Sequence, residues 1–136
     1  MFVNFSNHPS GQWDDEQKQA AHFFGEIRDV SFPMVPALAT TEEISRMAEE
    51  CAREILRMRP DCVMCQGEFT LTLAVVRRLQ AAGICCVCAC SERKIMKEET
   101  SGRTTRKTSV FEFRQFREYE KPNYEKEGKY GHEKHR

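Results

Sequence analysis

The 136-residue chain carries no net charge, because 21 Lys and Arg balance 21 Asp and Glu. Without a positive field it is a poor general binder of long nucleic acids or anionic membranes, so any anionic ligand must be held by a local site. Long apolar runs are missing too. None approaches the roughly 18–20 residues needed to cross a bilayer, and Met1–Asn7 lacks the basic and apolar regions of a signal peptide, which points to a cytoplasmic protein. Neither a GxGxxG stretch nor a Walker loop occurs, which disfavours ordinary dinucleotide and triphosphate binding. There is no internal repeat. The length excludes two large domains, yet suffices to bury roughly two-thirds of the unfolded surface in one core.

Cysteine is plentiful by contrast. The seven thiols are an odd number, and Cys62, Cys65, Cys85, Cys86 and Cys88 sit in apolar runs. Buried thiols in a reducing compartment fit this better than a disulfide frame. A zinc site built on Cys62-x-x-Cys65 is disfavoured by parity. In a strand those two side chains point to opposite faces and cannot share an ion.

Short β-rich runs alternate with helical ones, which predicts an α/β domain with a mostly parallel sheet. Met1–Ser6 reads as a strand broken by Pro9 and Gly11, and a helix from Gln12 buries Trp13, Ala20, Ala21 and Phe24 before Gly25. Glu26–Phe32 reads as a second strand closed by Pro33. Thr40-Thr-Glu-Glu43 matches a capping box, and Ile44, Met47, Ala48, Cys51, Ile55 and Met58 then recur at helical spacing up to Pro60. Asp61–Gly67 suits a strand buried on both faces, followed by a helix from Phe69 to Ala82, a C-cap at Gly83 and a buried strand Ile84–Cys90. Glu98–Arg103 reads as a turn to an antiparallel edge strand from Lys107 to about Tyr119. One domain over residues 1–119 is expected, and the charged 120–136 tail has too little apolar surface to order.

Loops at the carboxyl ends of such strands converge on one rim beside helix N-termini. Three polar segments fall there: Ser6-Asn7-His8-Pro9-Ser10, Gln66-Gly67-Glu68-Phe69-Thr70 and Ser91-Glu92-Arg93. Hydroxyls, amides, a glycine and one arginine are what a phosphate-ester site uses. Each residue also has a plainer reading. Ser6, Asn7 and Ser10 are ordinary turn and cap types, Gly67 shapes a turn, and Glu68 suits a helix start as well as a proton acceptor. Arg93 has Glu92 or Glu68 as alternative partners, and His8, chemically able to exchange protons, is also a common surface type.

Asn4-Phe-Ser-Asn-His-Pro9, Gln66-Gly-Glu-Phe-Thr70, Ala89-Cys-Ser-Glu-Arg93 and Phe113-Arg-Gln-Phe-Arg-Glu-Tyr119 resemble small stand-alone CRISPR-associated proteins of the ring-nuclease type. The resemblance implies a Rossmann-like three-layer α/β domain that forms a homodimer and degrades cyclic oligoadenylate, chiefly the tetra-adenylate, without a metal or other cofactor. A ribose 2′-hydroxyl would attack its neighbouring phosphate. On that expectation Arg93 stabilises charge and His8 acts as acid or base, while Ser6, Asn7, Ser10, Gln66, Gly67, Glu68, Thr70 and Ser91 line the ligand. Two other classes satisfy the same residues: a non-catalytic cyclic-nucleotide sensor, and a nucleotide-processing hydrolase using Glu68.

Overall fold

The computed structural model describes residues 1–123, apart from the side chains of residues 96–98 and 107. Four strands carry three helices between them, and a fifth strand follows. They are β1 (Phe2–Ser6), α1 (Asp15–His22), β2 (Ile27–Ser31), α2 (Thr41–Arg57), β3 (Cys62–Cys65), α3 (Phe69–Ala81), β4 (Cys85–Ser101) and β5 (Thr104–Glu118). The strands form one sheet in the order β2-β1-β3-β4-β5. The first four are parallel, with Phe2 opposite both Ile27 and Cys62, and Cys62 opposite Cys85; β5 runs antiparallel to β4.

Local chemistry explains most element ends. The Thr40 hydroxyl caps α2 by accepting from the Glu43 amide at 3.1 Å, and it also donates to the Glu43 carboxylate at 3.3 Å, a hydroxyl-to-carboxylate variant of the capping box. Asp14 caps α1 by accepting from the Gln17 amide at 2.9 Å. Gly83, at φ 83°, takes the left-handed position beyond α3.

Strand parity then divides the core. Val3, Phe5, Val63, Cys65 and Cys86 pack against Ile44, Ala48 and Ile55 of α2 and Leu71, Val75 and Leu79 of α3. On the other face Phe2, Cys62, Met64 and Val87 pack with Trp13 and Ala21. The Phe2 ring lies 5.0 Å from Phe116 and 6.2 Å, edge-on, from Trp13. Cys62 and Cys65 thus belong to different faces, as their spacing requires.

Two boundaries differ from the sequence reading. The first helix starts at Asp15 rather than Gln12, because Asp14 caps it, so Trp13 lies ahead of α1 and Phe24 beyond its end. The fourth strand does not stop at Cys90 but continues to Ser101, so Ser91-Glu92-Arg93 is strand rather than loop. No Gly or Pro interrupts residues 84–101, and β5 pairs with β4 from Val87↔Glu118 out to Ser101↔Thr104. The expected Glu98–Arg103 turn contracts to Gly102 and Arg103, with Gly102 at φ 62° where a side chain would be strained. Tyr119 fixes the end of β5, its hydroxyl donating to the Cys65 carbonyl at 2.7 Å. Of the 120–136 tail, residues 124–136 lie outside the described residues. Among the described residues no helix is long and apolar enough to cross a membrane.

Candidate functional site

Because β1 lies between β2 and β3, the chain leaves β1 toward one side of the sheet and later returns to build the other. Connections diverge at that point and open a crevice beyond the carboxyl ends of the strands. A cavity of about 570 Å³ occupies it, lined by His8 after β1, Met64 and Gln66 of the β3 end, and Ala89 and Ser91 of β4. Gln12, Trp13, Asp14 and Gln17 form its wall on the α1 side, and Phe111 and Phe113 of β5 close it.

A buried polar network sets the first loop. Asn4, 1% exposed in the centre of an apolar strand, donates from Nδ2 to the His8 carbonyl at 2.8 Å and to the Asp29 carboxylate at 3.0 Å. The Ser6 hydroxyl donates to Asn4 Oδ1 at 2.6 Å and accepts from the His8 amide at 3.1 Å. The Ser10 amide reaches Asp29 Oδ2 at 3.1 Å. The backbone of His8 is therefore held at both its amide and its carbonyl, while its imidazole remains exposed on the cavity. Gln66 bridges the next strands: its side-chain oxygen accepts from the Ala89 amide, which leaves the NH2 group as a donor.

Three of the expected residues, His8, Gln66 and Ser91, thus share one cavity. Ser6 and Ser10 stand behind it as supports. Arg93 sits one pleat beyond Ser91 on the same face of the ribbon, directly opposite the cavity residue Phe111. Neither Glu92 nor Glu68 pairs with it. Its Nε donates to the Ser109 hydroxyl at 2.9 Å, while Glu92 is taken by Arg114 at 2.9 Å. Among the described residues, Arg93 therefore carries a guanidinium with no carboxylate in ion-pair contact.

The remaining candidates face elsewhere. Asn7 is exposed outside the cavity lining. A side chain on Gly67 would run into the Phe32 ring, 2.5 Å from its Cβ, so this glycine permits close packing. Glu68 caps α3, accepting from the Thr70 and Leu71 amides at 2.9 Å each and from the Thr70 hydroxyl at 2.6 Å. The Thr70 hydroxyl, aided by those amides, holds the Glu68 carboxyl below its usual range. The helix terminus that could have received a phosphate is occupied by the protein's own carboxylate.

Asn4, Gln12, Trp13, Gln17, Phe111 and Phe113 were not anticipated as site residues. A lone amide inside Phe2-Val-Asn-Phe5 was a usable signal for Asn4, since a buried strand rarely keeps one without partners. The others meet the rim only through pairing of distant segments. The model of the Uncharacterized protein MJ1673 family matches residues 1–117, and the chain belongs to that family. No curated protein and no solved structure matches it.

Proposed function

We propose that this member of the MJ1673 family is a Rossmann-like ring nuclease that opens cyclic oligoadenylate, foremost the tetra-adenylate messenger of type III CRISPR systems. The observation that carries the reading is the rim cavity itself, where the imidazole of a backbone-anchored His8, amide and hydroxyl donors and three aromatic rings meet beside an arginine that pairs with no carboxylate among the described residues. Adenine has a face for the exposed Phe111 ring to stack on, Trp13 and Phe113 forming the largely buried floor beneath it, and edges that Gln12, Gln17 and Gln66 complement.

The chemistry needs no external nucleophile. A ribose 2′-oxygen attacks the adjacent phosphorus, the bond to the 5′-oxygen breaks, and the products are a 2′,3′-cyclic phosphate and a 5′-hydroxyl. His8 exchanges the proton with the attacking or leaving oxygen, and Arg93 meets the charge growing on the phosphoryl oxygens. A cyclic tetramer contains a two-fold axis, so a homodimer can present two copies of the rim to opposite phosphates.

Incubation of the purified protein with cyclic tetra-adenylate in EDTA tests this. Linear products ending in 2′,3′-cyclic phosphate are expected, with turnover lowered about 10²–10³-fold in Arg93→Ala at unchanged melting temperature. Tight binding of intact ligand without products would instead make the protein a sensor. Neither binding nor cleavage would remove the proposal.

A further inference from the structure

A second cavity lies on the opposite side of the sheet from α1, against the C-terminal half of α2. It is a shallow groove of about 750 Å³, open to solvent and lined by Arg53, Arg57, Arg59 and Arg78 with Glu49, Ala52 and Leu56. It shares no residue with the rim cavity. Arg59 leads directly into the amino end of β3, whereas the rim opens at the carboxyl ends.

The charges here do not cancel. The single carboxylate, Glu49, pairs with Arg53 at 3.4 Å. Arg78 spends its donors on neutral acceptors, the Ala74 carbonyl at 3.0 Å and the Ser45 hydroxyl at 2.8 Å. Arg57 and Arg59 make no ion pair among the described residues. The end of α2 contributes only about half a negative charge, which offsets part of one guanidinium. In a chain of zero net charge, this local surplus is not a by-product of an overall excess of base.

Backbone conformation supplies an independent sign. Arg59 has φ 53°, the one positive value outside glycine among the described residues. It stands just beyond the α2 cap Met58, where glycine is the unstrained choice. A side chain kept in that region against its steric cost points to a task for the side chain.

We propose that this cavity binds a small, multiply charged phosphate compound. Planar guanidinium forks pair with oxyanions two bonds at a time, so one carboxylate satisfies one fork. A di- or triphosphate presents several such edges within a single compact ligand, and the Leu56 wall accepts its uncharged portion.

Titration calorimetry with inorganic tripolyphosphate on the full chain tests the assignment. Binding is expected for the wild type, weakening as salt is raised. Arg57→Gln and Arg59→Gly should each reduce affinity about tenfold or more, and Arg93→Ala should leave it unchanged. Arg59→Gly should also melt at or above the wild-type temperature, because glycine relieves the backbone. A lower melting temperature with unchanged affinity would make Arg59 a structural residue and overturn the proposal. Absence of tripolyphosphate binding at millimolar concentration, capture of an oligoribonucleotide instead, or loss of binding in Arg93→Ala would overturn it as well.

Discussion

Replacing Asn4 with alanine tests whether the rim depends on the buried network behind it. Asn4 is 1% exposed and Ser6 6% exposed, so water cannot readily replace what the amide supplies. The substitution strips the Ser6 hydroxyl of its 2.6 Å acceptor and the His8 carbonyl of its 2.8 Å donor. Leaving a buried polar group unpaired costs about 1–3 kcal/mol. Asp29 loses a bond too, but it still receives the Ser10 amide and is exposed, so its loss adds little. Two such groups give about 2–6 kcal/mol, toward the lower end because the Ser6 hydroxyl can turn to the His8 carbonyl 3.4 Å away, and still a large share of the roughly 5–15 kcal/mol that holds a domain together. Urea unfolding followed by the fluorescence of Trp13, the single tryptophan, reads the change at the cavity wall itself. Hydrogen exchange at the His8 amide should accelerate in parallel. Asn4→Asp sharpens the test: at neutral pH it keeps an acceptor for Ser6 but loses the donor and faces Asp29, and part of its deficit should return as acid protonates the pair. An alanine variant within about 0.5 kcal/mol of wild type, with the His8 amide still protected, would refute the reasoning.

Three further outcomes follow from the same geometry. Glu68→Ala should lower stability by about 1 kcal/mol through loss of the α3 cap while leaving ring cleavage intact. Because the folded-state value of this carboxyl is lowered, its contribution is complete above the ordinary carboxylate range and disappears as pH falls through the lowered value; an acid titration of the urea midpoint, compared with the variant, checks it. Gly67→Ala should cost about 1–3 kcal/mol by pressing on Phe32, with partial recovery in the double variant with Phe32→Leu, measured by thermal unfolding. Burial pushes the Cys86 thiol up to about 12 and raises Cys62 and Cys65 further. For groups raised in the folded state, stability is full below their unfolded value near 9 and declines above it. The urea midpoint should therefore fall between pH 8 and pH 10.5, and a flat or rising profile would contradict the burial of these thiols.

Much of the scaffold was legible in the residues alone, because its determinants are local. Thr40 and Glu43 lie within one turn of each other, Pro60 and Gly83 act where they stand, and the opposite facing of Cys62 and Cys65 follows from strand parity. The convergence of strand-end loops on one rim placed His8, Gln66, Ser91 and Arg93 among the candidates, but not Gln12, Trp13, Gln17, Phe111 or Phe113, which come to the cavity from other segments. Whether Ser91 and Arg93 lie in a loop or a strand depends on backbone partners more than fifteen residues away in β5, which nothing near Cys90 encodes. The same holds for Phe111, exposed at the cavity, against Phe113, buried two residues later. Sequence by itself thus determined the order of helices and strands and which faces are apolar, but not how far β4 extends, since periodicity and capping act over a few residues. Tertiary structure alone decided which side chains share a cavity, because the meeting of Trp13, Gln66 and Phe113, or of Arg53, Arg59 and Arg78, depends on sheet order and helix packing across the whole chain.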